Sequence, residues 1–478
     1  MKNNYIICFL FCILYLFPSI TGVVYYNDDI FRSVYGYYGW ENDGRPLADY
    51  IYKSLTLSNI NIPDMYPLLL IVSIGVYCYI CMKVSQSILG KKTLITDLIC
   101  CSFILSPLFA SNLWFRYDSF FMVLSVTAAL FPFSIIDNIR KKIFLSILSL
   151  VICCTLYQPS LSLFICLSSI EVMFLTLRNE KSIKYILLNL LGRIVSIAFS
   201  LVIYLKIIIP NTLAGYYFSN YNKLIDFSYT GFTILINNYK SAYSLFNKVY
   251  ESPFIIPFLV ILFFSILAIF NLILTSKNKI NLIISIFICC ISLIIFTPGL
   301  GVLSENMPLY PRTFISFGVF IFLPLSIVVL STLNNKIKIC LTFLTCFFCF
   351  LFFYSSTNAL KEEYSNKTIL SSRIISILDN KGLSDRKIFI VDGTADYSPI
   401  FNITSSIYPF LNDMKPNTFW GGYDGGRFML MRSGLNNIYY DTNETASELI
   451  AKTSNEYPIF KSNKFSIFDI EGVIIIKF

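Results

Sequence analysis

Residues 254–274 read FIIPFLVILFFSILAIFNLIL, twenty-one positions without one charged side chain. A helix needs about 20 mostly apolar residues to cross a bilayer, and so long an apolar stretch is out of place on a water-exposed surface. Runs of the same character lie near 5–25, 66–89, 94–114, 119–136, 143–157, 160–177, 185–209, 282–297, 314–332 and 339–357, giving eleven in all. Two of them, 143–157 and 160–177, are short and hinge at Pro159. The whole chain of 478 residues is 56% hydrophobic and only 14% charged, where a soluble domain carries about 25% charge. Disorder, fibrous repeats and a free cytosolic enzyme are excluded, and the expected fold class is an all-α polytopic membrane protein.

The connectors between the runs alternate in basicity. Lys2, Lys91-Lys92, Arg140-Lys141-Lys142, Arg178/Lys181/Lys184, Lys277/Lys279 and Lys336/Lys338 fall on one side, and longer loops with sparser cations fall on the other. The positive-inside rule then places the N-terminus in the cytoplasm and the long loops outside. An odd number of spans carries the C-terminal tail outside as well. The first apolar run continues to Val24 past a weak cleavage pattern, so it reads as an uncleaved first helix.

Three outside segments are large: 26–65, 210–253 and 358–478. Segment 210–253 places Phe227, Phe232, Leu235, Tyr239, Tyr243 and Phe246 near helical spacing, as in a helix lying on the membrane surface. The tail 358–478 reads as a small α/β unit, separate from a transmembrane domain at 1–357. A helix is expected at 361–380, a strand at Lys387–Val391, and a strand–turn–strand unit at Phe465–Phe478 around Glu471-Gly472.

The absence of histidine excludes His-ligated metals, Ser-His-Asp and Cys-His nucleophile pairs, and histidine proton shuttles. The net charge of +9 comes from cations scattered in ones to threes, which is no nucleic-acid footprint. All 14 cysteines lie in or beside apolar runs, where Cys acts as a small hydrophobe. Cys78 and Cys81 have C-x-x-C spacing without a second pair, and this reads as helix packing.

Chemistry concentrates in the first outer loop, YYNDDIFRSVYGYYGWENDGRPLA, residues 25–48. A single aspartate there would read as a helix cap paired with Arg32. Asp28, Asp29, Arg32, Trp40, Glu41, Asp43 and Arg45 together, beside several tyrosines, suit a sugar-and-phosphate site at a membrane boundary. Three short outer turns add Arg116 and Asp118 (FRYDS), Tyr157 and Gln158 (YQPS), and Arg312 (YPRT).

This series of loop and turns, in order between the spans, resembles the O-antigen serotype-converting glucosyltransferases of the Gtr type, within the GT-C superfamily. The resemblance covers roughly residues 1–330. It implies a GT-C-like core of about 11 transmembrane helices in the bacterial inner membrane, with a periplasmic active site in loop 26–65. It also implies a polyprenyl-phosphate-glucose donor, a lipid-linked O-antigen acceptor on lipopolysaccharide, and pathway partners that synthesise and flip the donor.

Such a transfer needs a carboxylate to take the acceptor proton and cations to steady the departing phosphate. Asp28 or Asp29 is the expected base, and Arg45, Arg116 and Arg312 are the expected phosphate clamps, since guanidinium grips phosphate through two donors. Trp40 and nearby tyrosines suit sugar faces, and inversion by single displacement is the expected course. No cofactor is required by the residues; Mg2+ or Mn2+ on Asp28 and Asp29 stays open.

Two other classes share part of this pattern. An O-antigen polymerase or ligase also sets arginine-rich outer loops beside a polyprenyl carrier. A transporter or flippase calls for ionisable residues at the bilayer midplane, where Glu171 is the main instance. In the tail, Trp420-Gly-Gly-Tyr423-Asp-Gly-Gly-Arg427 reads equally as an acceptor contact or a tight loop.

Overall fold

The computed structural model describes residues 2–135, 139–212, 215–386, 389–416, 418–419, 425–435 and 444–478. Helix α1 (Lys2–Ile20) leads into a short α2 (Asp28–Tyr35) and α3 (Pro46–Thr56). Helices α4 (Leu68–Val84), α5 (Leu94–Cys101), α6 (Ala110–Trp114), α7 (Ser119–Leu130), α8 (Ile139–Tyr157), α9 (Leu161–Arg178) and α10 (Ile183–Ile203) follow. Two helices beyond the core, α11 (Tyr216–Tyr221) and α12 (Tyr229–Tyr250), precede α13 (Ile255–Thr275), α14 (Lys279–Phe296), α15 (Val319–Leu330) and α16 (Asn335–Asn380).

Among the described residues, seven helical stretches are long and apolar enough to cross a membrane, or eight if the pair Leu94–Leu105 and Pro107–Trp114, bent by 53°, counts as one span. One of the seven is the 40-residue stretch Ile139–Arg178, and it folds back on itself. Arg193 of α10 donates both to Ser146 Oγ on α8 at 3.1 Å and to Glu171 on α9 at 3.0 Å. On one straight helix those partners would stand about 37 Å apart at 1.5 Å per residue. The reversal lies at Tyr157, which leaves helical conformation (φ −162°, ψ 101°) just before Pro159. Two shorter apolar helices, Ser119–Ser134 and Ile315–Leu330, complete the bundle.

Lipid is the natural solvent for its flanks. The apolar windows of α13 and α14 are only 17% and 22% buried, and they expose Phe263, Ile266, Phe270, Phe287, Ile291 and Ile294. By contrast the α8–α9 window is 83% buried. The protein is therefore a polytopic membrane protein.

The predicted connectors sort to two ends. At the basic end Arg178 donates to the Ser87 carbonyl at 3.0 Å, and Asn278 donates to Asn179 at 2.7 Å. The long loops meet at the opposite end, where Gln158 donates to the Asp43 carbonyl and Tyr157 to that of Arg312. On that side α12 buries Ala242, Leu245, Phe246 and Val249 against the bundle, while Phe227, Tyr229 and Phe232 near its start stay exposed.

Helix α16 runs 46 residues without Gly or Pro, about 69 Å, so it crosses the membrane depth and continues into the tail. The expected 357/358 boundary falls inside this one helix. Beyond it come β1 (Phe389–Asp392), α17 (Pro399–Ile407), α18 (Gly425–Arg432), α19 (Glu444–Lys452), β2 (Phe460–Lys461), β3 (Ser466–Ile470) and β4 (Val473–Lys477). The sheet order is β1-β4-β3-β2, with β1 parallel to β4 and the other pairs antiparallel. Glu471 and Gly472 both take positive φ (54° and 82°), as a two-residue hairpin turn requires. Lys387 and Ile388 of the expected first strand, and Trp420–Asp424 of the glycine-rich stretch, lie outside the described residues.

The tail is stitched into the membrane unit. Ile30 of α2 belongs to the same buried cluster as Ile374, Leu378, Phe389, Val391 and Phe428. Phe31 packs on Phe428 at 4.4 Å between ring centres, and the Tyr26 hydroxyl donates to the Met414 carbonyl at 2.9 Å. Beneath this, the buried pair Lys367–Glu363 (3.1 Å, i,i+4) ties α16 to the Ala395 carbonyl and the Ser398 amide.

Candidate active site

Loop residues 26–65 form a compact unit because several chain reversals are built into it. Helix α2 begins with Asp28-Asp29, acids at the positive end of the helix dipole, and stops at Gly36 in left-handed conformation (φ 61°). Gly44 (φ 72°) sits where a Cβ would come within 2.7 Å of both the Phe218 ring and the Tyr204 hydroxyl. Asp49 of α3, which the sequence pattern did not single out, accepts the Gly39 and Glu41 amides at 3.2 and 2.7 Å.

The two acids at the head of α2 face different surroundings. Asp29 is fully buried and accepts the amides of Tyr26 (3.2 Å), Arg116 (2.8 Å) and Tyr117 (3.3 Å). Burial pushes its carboxyl well above the ordinary range, while those three amides pull the other way. Of the two expected bases, Asp29 is thereby a fastener: neither oxygen is open to an acceptor hydroxyl. Asp28 keeps 37% of its side chain exposed, and its Oδ2 lies 3.7 Å from Arg312 Nη1.

Beside them Asp118 holds three partners. Its Oδ1 accepts Trp40 Nε1 at 2.6 Å and Arg45 Nη1 at 3.0 Å, and its Oδ2 lies 3.7 Å from Arg32 Nε. Burial pushes the Asp118 carboxyl up, but Arg32, Arg45 and the Trp40 indole outweigh it and hold the group below the usual carboxylate range. Arg45 also pairs with Asp43 at 2.8 Å and lies over the Tyr157 ring. Arg32 stacks over Trp40 at 3.9 Å and Tyr37 at 5.0 Å, with Nε and Nη1 buried and lacking hydrogen-bond partners. A buried guanidinium with unmet donors is costly alone and is suited to an anion.

The structure thus gathers Arg32, Asp43, Arg45, Asp118, Tyr157, Gln158, Asp28 and Arg312. Two expectations need correction. Trp40 is 0% exposed, stacked on Tyr52 (5.1 Å, 5°) and edge-on to Phe121, so it packs the site's floor and meets no sugar. The Arg116 guanidinium binds Asp64 at 2.9 Å between Tyr25 and Tyr66; its backbone amide, not its charge, joins the site. Glu41 stays partly exposed, and its amide rather than its carboxylate is engaged.

Asp49, Asp64, Asn112 and Tyr26 were missed from sequence. Tyr26 lies within the quoted loop and Asp49 directly after it, and Asn112, which donates to the Arg312 carbonyl at 3.1 Å, lies three residues before the FRYDS turn, so sequence proximity was the available signal.

A membrane bundle whose loop end concentrates buried arginines around carboxylates, with one acid partly exposed beside them, is suited to an anionic ligand at a membrane boundary. The glucosyl transferase GtrII family model matches residues 17–323, and the chain belongs to that family; it is a glycosyltransferase. The chain is also similar to a Salmonella phage P22 protein described as an uncharacterized 55.3 kDa protein in the gtrB 5′ region. The two are 23% identical over 478 residues, covering 98% of this chain and 96% of the relative. No solved structure matches.

Proposed function

We propose that the enzyme moves glucose from a polyprenyl-phosphate donor to the O-antigen repeat of lipopolysaccharide, on the periplasmic face of the bacterial inner membrane. In this reading the chain makes eleven crossings with its N-terminus in the cytoplasm, and the tail 358–478 is periplasmic. Family membership supports the glucosyl transfer, and the separation of a basic end from a loop end supports the orientation. A donor-loading synthase and a flippase are the pathway partners that such a donor requires.

The observation that carries the proposal is Asp28: half-open, at the head of α2, 3.7 Å from Arg312 and beside the buried Arg32–Asp118–Arg45 group. Asp28 takes the proton of the acceptor hydroxyl as its oxygen bonds to the anomeric carbon. The bond from that carbon to the lipid phosphate breaks on the opposite face, and the polyprenyl phosphate leaves with the electron pair. Arg312, with Arg32 and Arg45 behind it, stabilises the phosphate charge. One displacement inverts the anomeric carbon.

The carboxylates suit this better than they suit a divalent ion. Both Asp29 oxygens already accept amides, and Asp43 and Asp118 are paired with Arg45, so these acids are committed to amides and arginines rather than arranged as a set of oxygen ligands.

The test supplies polyprenyl-phosphate glucose carrying a radiolabel, with lipid-linked O-antigen, to the protein in nanodiscs. Label passes to the acceptor with wild type and collapses with Asp28→Asn at matched folded protein. Absence of transfer by folded wild type would reject the donor assignment.

A further inference from the structure

Thiols from three helices meet in the apolar core, far along the chain from one another. On α1, Asn4, Cys8 and Cys12 recur every four residues and so share one helix face. Cys78 lies on α4 with Cys81 close by, and Asp97 and Cys101 are four apart on α5. Packing of α1, α4 and α5 brings the sulfurs of Cys12, Cys78 and Cys101 within 4.8 Å of one another, with Cys12 and Cys78 3.6 Å apart. All three are 0% exposed.

Sequence spacing could not show this triangle, because each helix contributes one corner. The sulfurs are too far apart for a disulfide, whose S–S bond is about 2.05 Å. They are spaced as ligands: three sulfurs at about 2.3 Å from a central ion stand about 4 Å apart. The donors are all sulfur, a set that selects soft ions, and a three-cornered set suits Cu(I) better than four-coordinate zinc.

A polar group stands toward the basic end. Asp97, one turn from Cys101 on α5, is fully buried. Its Oδ2 accepts the Asn4 amide at 3.0 Å, and its Oδ1 is buried without a hydrogen-bond partner. Asn4 itself is partly exposed, so the pair lies between the thiols and that end of the bundle.

We propose that Cys12, Cys78 and Cys101 bind one Cu(I) ion, which enters past Asn4 and Asp97. Cu(I) replaces the proton of one thiol, and the other two thiols coordinate as neutral donors. The site therefore stays uncharged, as an apolar interior demands, the released proton passes to the solvent buffer, and no oxidation state changes. Binding fastens α1, whose far end leads into Asp28, to α4 and α5.

The full-length protein, purified in detergent without oxygen, is titrated with Cu(I) against a chromophoric Cu(I) chelator. One Cu(I) per chain with a sulfur-only shell in X-ray absorption is the expected result. Cys12→Ser and Cys101→Ser each weaken retention at least tenfold, while Cys340→Ser, at an exposed cysteine outside the cluster, leaves it unchanged. The absorption spectrum of wild type decides the matter even where a cysteine variant folds poorly. Loss of Cu(I) to the chelator, oxygen or nitrogen in the shell, preference for Zn2+, or a Cys12–Cys78 disulfide in the reduced preparation would each overturn the site.

Discussion

Asp29 accepts the backbone amide of Arg116 at 2.8 Å across 87 residues of chain. That bond fixes the head of α2 against the FRYDS turn, and it orients Asp28, one residue earlier, toward Arg312. Successive residues on a helix point about 100° apart, so fastening one acid presents the other.

Substitution at the two acids should separate by mechanism. Asp28→Asn leaves thermal stability in place and lowers transfer by about 10²–10⁴-fold, the usual worth of a general base. Asp29→Ala orphans three amides and costs stability of about 1–3 kcal/mol per unmet group. Melting curves beside label transfer per folded molecule distinguish them; equal loss of stability in both variants contradicts the assignment.

Asp118 offers a pH signature. Its carboxyl is held below the ordinary range in the folded protein. The stability it contributes is therefore fully present above the unfolded carboxylate value of about 3.9 and is lost as pH falls through its depressed folded value. Asp118→Asn leaves Arg32 buried without its anion and Arg45 with Asp43 alone, at a cost of about 3–5 kcal/mol. Thermal melts from pH 7 downward should show a wild-type acid limb that the variant lacks.

The arginines should not behave alike. Arg312→Ala lowers turnover with folding intact. Arg116→Ala removes a partly exposed pair with Asp64, worth about 0–1 kcal/mol, and keeps the amide that serves Asp29, so its transfer rate stays within a few-fold of wild type. A comparable fall in turnover for both would place the Arg116 charge on the substrate.

Midway along the spans Glu171 is engaged by Arg193 through two oxygens and by Asn189, with Arg193 also bound to the Pro132 carbonyl. This is a lock among α8, α9 and α10. Glu171→Gln should destabilise by about 3–5 kcal/mol, and Glu171→Gln with Arg193→Met should recover much of it. Turnover per folded molecule stays unchanged in both; a selective loss of turnover would give Glu171 a functional part.

The tail's grip on α2 predicts a distant effect. Phe428→Ala removes the ring under Phe31 and Tyr35, costs about 3–5 kcal/mol, and slackens the helix that presents Asp28. Faster proteolysis of the tail together with reduced turnover is the expected pair of readouts.

Much of this was legible along the chain. Runs such as 254–274 and 282–297 became α13 and α14, because apolar length and the backbone's need to satisfy its own hydrogen bonds in lipid leave helix as the outcome. The turn at Glu471-Gly472 and the crowding of charge in residues 25–48 were equally local signals. Tertiary structure alone decided which acid stays open, why Trp40 is floor and not platform, and where Arg116 spends its charge. It also joined the 361–380 helix to the last span and assembled Cys12, Cys78 and Cys101. Periodicity reports only the face a residue shares with its near neighbours on the chain. Partners 50 to 90 residues away, such as Asp64 for Arg116 or Asp118 for Arg45, are chosen by how the helices pack.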